Sequence, residues 1–165
     1  MKDTIELKEL SYEAKMVLAQ RADTPATLLE ALAFDKYVGV RANVANNVST
    51  SVALLFQLAV DESIYVRWVV AQNVYTPAEI LEMLARDNAW RVRCYVAENS
   101  NTPIAVLKEL AKDDAQWVRQ AVAGNRNTPY KTLVMLLKDE ELCVSQKAKE
   151  ALKERKEKGK IGIER

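Results

Sequence analysis

The chain has 165 residues, 49% of them hydrophobic, enough to bury a sizeable core as one domain or one array without disulfides or a structural metal. Lys plus Arg is 24 and Asp plus Glu is 23, a net charge of +1 that argues against a dedicated nucleic-acid binder. Histidine is absent, which removes the commonest general base and metal ligand, and with them serine-hydrolase triads and most zinc sites.

Residues 1–9 are charged throughout and lack the apolar segment of a signal peptide, and no stretch approaches the ~18 apolar residues of a membrane helix. Cys94 and Cys143 form no C-x-x-C pair and read as reduced thiols, so a soluble, cytoplasmic protein is expected. Pro25, Pro77, Pro103 and Pro129 follow threonines and are spaced by 52, 26 and 26 residues, with Ser51 filling the gap. In that 26-residue register Leu29, Leu55, Leu81, Leu107 and Leu133 align, as do the Val-Arg pairs from Val40-Arg41 to Val118-Arg119 and the Val-Ala pairs from Val44-Ala45 to Val122-Ala123.

Residues 1–24 are expected to form a degenerate N-terminal capping repeat, in which Ala14-Lys15 and Leu18-Ala19 take the Val-Arg and Val-Ala positions. Tandem units follow at 25–50, 51–76, 77–102 and 103–128, with a partial unit at 129–144. Each reads as two short helices. Thr24, Thr76, Thr102 and Thr128 are expected as N-caps of helix A with the proline at the first helical position. Leu29, Leu32 and Ala33 form its buried stripe. Val40, Val44, Ala45 and Val48 are expected to line the inner face of helix B, which ends at an Asn suited to a left-handed conformation and to bonding loop backbone. Residues 145–165 are expected as a basic C-terminal capping helix, frayed after Gly159. The fold expected is an all-α, right-handed α-solenoid (superhelix) of about five 26-residue repeats in one continuous array, because helices this short must stack to survive.

The unit running through Val92-Arg93, Val96-Ala97, Asn99, Thr102-Pro103, Leu107, Leu110-Ala111 and Asp113 resembles the leucine-rich repeat variant family, over about residues 9–145. The resemblance implies a right-handed superhelix of alternating α and 3₁₀ or short α helices. The family's usual repeat is slightly shorter, so the extra length here leaves room for helix B to be a full α-helix, closer to HEAT-like arrays. The iron–sulfur cluster of one member sits on a cysteine-rich segment ahead of the repeats; no cysteine precedes Cys94, so no cluster and no other cofactor is expected.

Residues present in every unit are expected to serve the repeat itself: a structural ladder of Asp35, Arg41, Asp61, Arg67, Asp87, Arg93, Asp113 and Arg119, with Asn47, Asn73, Asn99 and Asn125 bonding loops. Function is sought where units differ. On helix B the positions i, i+3 and i+7 outside the Val stripe carry Gly39, Ala42, Asn46; Tyr65, Trp68, Gln72; Arg91, Cys94, Glu98; and Trp117, Gln120, Gly124. Tyr65, Trp68, Gln72, Arg91, Tyr95, Trp117 and Gln120 are the expected partner-binding residues, since Tyr, Trp and Arg dominate binding hot spots. The bland alternative is that the aromatics fill wedges between helices. Trp90 aligns with Val38, Ile64 and Leu142 and is expected in the core.

The function expected is a non-catalytic scaffold for a protein or peptide, with no metal. The rival is a nucleic-acid-binding HEAT-like array. Against it, residues 145–165 hold eight Lys/Arg and four Asp/Glu, which leaves sixteen bases and nineteen acids for residues 1–144. An enzyme is least supported: Arg91 and Arg93 could lower the Cys94 thiol pKa, but no histidine exists to pair with it.

Overall fold

The computed structural model describes residues 7–161. A 3₁₀ turn (Leu7–Glu9) precedes α1 (Tyr12–Gln20), α2 (Ala26–Leu32), α3 (Val38–Asn46), α4 (Val52–Leu58), α5 (Ile64–Gln72), α6 (Ala78–Leu84), α7 (Trp90–Glu98), α8 (Ile104–Leu110), α9 (Gln116–Gly124), α10 (Tyr130–Leu136) and α11 (Leu142–Ile161). No strand occurs among the described residues. The chain forms two compact units, Met1–Ile80 and Leu81–Arg165.

Both units are built by the same alternation. First helices are seven residues long, and second helices are nine-residue α-helices rather than 3₁₀ turns. In the first unit α1 packs on α3 and α3 on α5; in the second α7 packs on α9 and α9 on α11. Leu29, Leu32, Ala33, Val40, Val44 and Ala45 are buried in the first unit, and Leu107, Leu110, Ala111, Val118, Val122 and Ala123 in the second. Each such Leu or Val contributes about 1.5–3 kcal/mol by leaving water, which helices too short to stand alone require. Val48 departs from this pattern: it lies beyond the end of α3 and is 56% exposed.

The caps differ from expectation. The N-cap of α2, α8 and α10 is the proline itself, without a side-chain hydrogen bond. The preceding threonine turns backwards instead: Thr24 Oγ1 donates to the Leu18 carbonyl at 2.6 Å, Thr76 Oγ1 to Val70 at 2.6 Å, and Thr102 and Thr128 to Val96 and Val122. The threonines thus satisfy an orphan carbonyl at the end of the previous helix. Ser51, in the proline's place, is a true side-chain cap, its Oγ accepting from Leu54 N at 3.3 Å.

The Asn row also departs. Asn47, Asn73, Asn99 and Asn125 are C-caps in extended conformation, and no non-glycine residue among those described has positive φ. A helix that leaves through an extended residue needs no left-handed one; the Asn side chain holds the turn by bonding.

At the N-terminus α1 stands in the position of a second helix, described from Leu7 onward; residues 1–6 of the expected cap lie outside the described residues. At the C-terminus α11 runs unbroken through Gly159 to Ile161, longer than the frayed ending expected, and residues 162–165 lie outside the described residues. The Asn position is here Ala151, and Arg155 supplies bonds to the preceding loop, from Nη1 to Thr128 O and from Nη2 to Arg126 O, both 2.8 Å.

Candidate functional site

The recurring charges meet one another. In the first unit the Arg41 guanidinium donates to Asp61 Oδ2 at 2.7 Å and Oδ1 at 2.9 Å, and its Nη1 donates to the Asp35 carbonyl at 2.9 Å. Arg67 Nη1 reaches the Asp61 carbonyl at 2.9 Å. In the second unit Arg93 bonds Asp113 at 2.6 and 2.8 Å and the Asp87 carbonyl at 2.8 Å. Arg119 repeats this with Asp139 and the Asp113 carbonyl. Lys15 takes the arginine's place in the capping helix and reaches Asp35 at 2.7 Å. Each Asp also accepts the N–H two residues on, at the entry to the second helix: Asp35 from Tyr37, Asp61 from Ser63, Asp87 from Ala89 and Asp113 from Ala115. Of the asparagines, Asn47 Nδ2 donates to Ala19 O and Arg21 O at 2.8 Å, Asn73 to Ala45 O at 2.7 Å, and Asn125 to Ala97 O and Asn99 O at 2.7 and 3.0 Å. Their Oδ1 atoms accept from the loop, as Asn99 does from Asn101 N at 2.8 Å. These side chains are occupied in bonding their own chain.

The variable positions are more open. In the first unit the face begins closed: Ala42 is buried, and a Cβ on Gly39 would stand 2.9 Å from Tyr12 Oη, so the capping helix covers this end. On α5, Tyr65 and Trp68 pack edge to face with ring centroids 4.9 Å apart; Tyr65 and Gln72 are exposed and Trp68 is half-buried.

The second unit carries a groove of about 640 Å³. It is lined by Trp90, Cys94 and Glu98 of α7, at i, i+4 and i+8, by Trp117, Gln120 and Gly124 of α9, which packs between α7 and α11, and by Lys147 and Glu150 of α11. Trp117 is 49% exposed, Arg91 is exposed, and Tyr95 and Gln120 are half-buried. Trp90 is not core: it is 39% exposed, and its counterparts Val38, Ile64 and Leu142 are exposed as well. The first residue of a second helix projects past the core whatever its hydropathy. The Arg91 guanidinium lies 5.5 Å from the Trp90 ring centroid, a cation–π contact.

The groove does not activate its thiol. Burial, with the charges of Glu98 and Asp113, pushes the Cys94 pKa up to about 11, opposite to the lowering that Arg91 and Arg93 suggested; Arg93 is engaged by Asp113. Cys94 Sγ donates weakly to the Trp117 carbonyl at 3.6 Å. Among the described residues no group of three or more His, Cys, Asp or Glu could hold a metal ion, and no helix is long and apolar enough to cross a membrane. Of the basic C-terminal run, Lys147 pairs with Glu150 and Lys153 with Glu157, while the side chains of Lys158 and Lys160 lie outside the described residues.

Alternating short helices in a fixed register, bonded from one repeat to the next, define a helical-repeat solenoid. In particular, the chain carries a helical repeat like that of the leucine-rich repeat variant. A solved structure of such a variant, described as having a novel repetitive structural motif, matches over 90% of this chain and 62% of its own, at 31% identity and a TM-score of 0.68. The chain thus spans under two thirds of that protein's length. An engineered protein of known structure is similar at 17% identity and a TM-score of 0.44, over 86% of this chain and 88% of that one. No family model and no curated protein matches the chain.

Proposed function

We propose that the chain is a non-catalytic scaffold that binds a protein segment through the variable face of its second helices. The observation that carries this reading is the α7/α9/α11 groove, where Trp90 and Trp117 stand exposed although the packing positions of the same helices are filled by buried Val and Ala. Aromatic side chains left in water above a complete core are binding capital in a way that buried ones are not. Tyr65 and Trp68 of α5 are the aromatic surface of the first unit. Mixed charge at the groove, with Glu98, Lys147 and Glu150, suits a peptide better than a nucleic-acid backbone. The raised Cys94 pKa and the absence of histidine support a binding role over a catalytic one. Free Cys94 and Cys143 fit a reducing, cytoplasmic setting.

The test is capture from nuclease-treated extract of the source cell, comparing wild type with Trp117→Ala and, separately, Trp68→Ala, each checked for folding by circular dichroism. A protein retained by wild type and lost with Trp117→Ala supports the reading. Identical capture by all three, or capture only when nuclease is omitted, refutes it.

A further inference from the structure

We propose that the α7/α9/α11 groove takes the side chain of a Lys or Arg from an extended peptide, its apolar stem running along the groove from the Trp117 ring and its cation meeting the Glu98 carboxylate at the far end of α7. This rests on the peptide-binding reading above and adds the chemistry of the bound residue.

Three observations favour a cation. First, the groove's charges are unevenly used. Lys147 is paired with Glu150 at 3.5 Å, and its stem lies over Gly124, where a Cβ would come within 3.3 Å of Cε. Among the described residues no ion pair engages Glu98 within 4.0 Å. The groove walls also strip water from its carboxylate, which raises its pKa above the ordinary value, so a positive charge would be received where hydration is already reduced. Second, an indole ring lines the same groove about two turns from Glu98, a flat apolar face for the methylene stem of a Lys or Arg whose charged head lies beyond it. Third, the alternatives fit worse. A carboxylate or phosphate would face Glu98, and a purely apolar side chain would cover it without a partner. The volume, about 640 Å³, accommodates a long side chain with its flanking backbone.

The experiment is selection of phage-displayed linear peptides on the full-length protein. The best binder, made synthetically, is then titrated by fluorescence anisotropy against wild type, Glu98→Gln and Trp117→Ala. Both substituted residues are exposed, so the variants should fold. The expected result is enrichment of peptides sharing a Lys or Arg, bound about tenfold or more weakly by Glu98→Gln, a loss matched when that Lys or Arg is replaced by norleucine. Peptides that require Trp117 but tolerate both Glu98→Gln and norleucine overturn the cation inference and leave peptide binding standing. Absence of any peptide sensitive to Trp117→Ala overturns both.

Discussion

Arg41 and Asp61, twenty residues apart, meet in a two-pronged ion pair of 2.7 and 2.9 Å with both side chains under 10% exposed. The remaining guanidinium nitrogen bonds the Asp35 carbonyl, and Asp61 in turn receives the Ser63 N–H at the entry to α5. One arginine therefore fixes the turn of its own repeat to the turn of the next. Because neither charge can return to water, removing one partner strands the other.

Arg41→Ala should accordingly lower stability by about 3 kcal/mol or more, read from urea unfolding of the whole chain. Arg86→Ala, which breaks only an exposed 3.8 Å pair with Glu109, should change it by about 0.5 kcal/mol or less. Equal effects would show that the buried pair is not what ties the repeats.

Asn125→Asp tests the asparagine row. Its Nδ2 donates to the carbonyls of Ala97 and Asn99 while Oδ1 accepts from Asn127 N, so a carboxylate would turn an acceptor toward two acceptors. A loss of about 3 kcal/mol is expected at neutral pH. The loss should shrink as the pH falls and the carboxyl protonates, visible as a pH-dependent gap between the unfolding midpoints of variant and wild type.

Acid should loosen the second unit through Asp139. The hydrogen bonds from Arg119 hold its pKa below the ordinary aspartate value, with a further lowering from the Glu141 N–H, against an opposing effect of burial. A carboxylate with a lowered native pKa contributes stability above its unfolded value, near ~4, and loses it as the pH falls through the native value. Thermal midpoints should fall below about pH 4, and less steeply in Asp139→Asn, which lacks that titration.

Cys94 should react slowly. With its pKa near 11, the thiol is almost wholly protonated at pH 8, and alkylation by iodoacetamide should lag well behind that of a free cysteine. The same shift means that native stability present below the unfolded thiol value, near ~8.5, is lost as the pH rises from there toward 11. Rapid modification at pH 8 would contradict the buried environment.

The repeat was legible because its period is strict: Leu29 to Leu133 and Val40 to Val118 carry burial and helical spacing together. What escaped sequence reading depends on partners far along the chain. Thr24 and Pro25 are adjacent and either could cap a helix; only the Leu18 carbonyl, brought back by folding, decides that Thr24 belongs to the helix before it. Trp90 was hidden by its apolar row, since hydropathy cannot distinguish a core position from the first turn of a helix that overshoots its neighbour. Cys94 misled because nearby arginines in sequence are not nearby charges in space: Arg93 is committed to Asp113, while Glu98, one turn on along α7, acts on the thiol. The α7 row of Trp90, Cys94 and Glu98 could have been found from its four-residue spacing, once the tryptophan was released from the core.

The binding face is tested most directly by following the three tryptophan indole N–H signals in ¹H–¹⁵N spectra of the full chain while a captured partner or selected peptide is added. The Trp90 and Trp117 signals are expected to shift together and saturably, and Trp117→Ala to abolish the shift at Trp90. Binding that leaves both signals unmoved, with changes confined to α11 or to the loops of the Asp–Arg ladder, would contradict it.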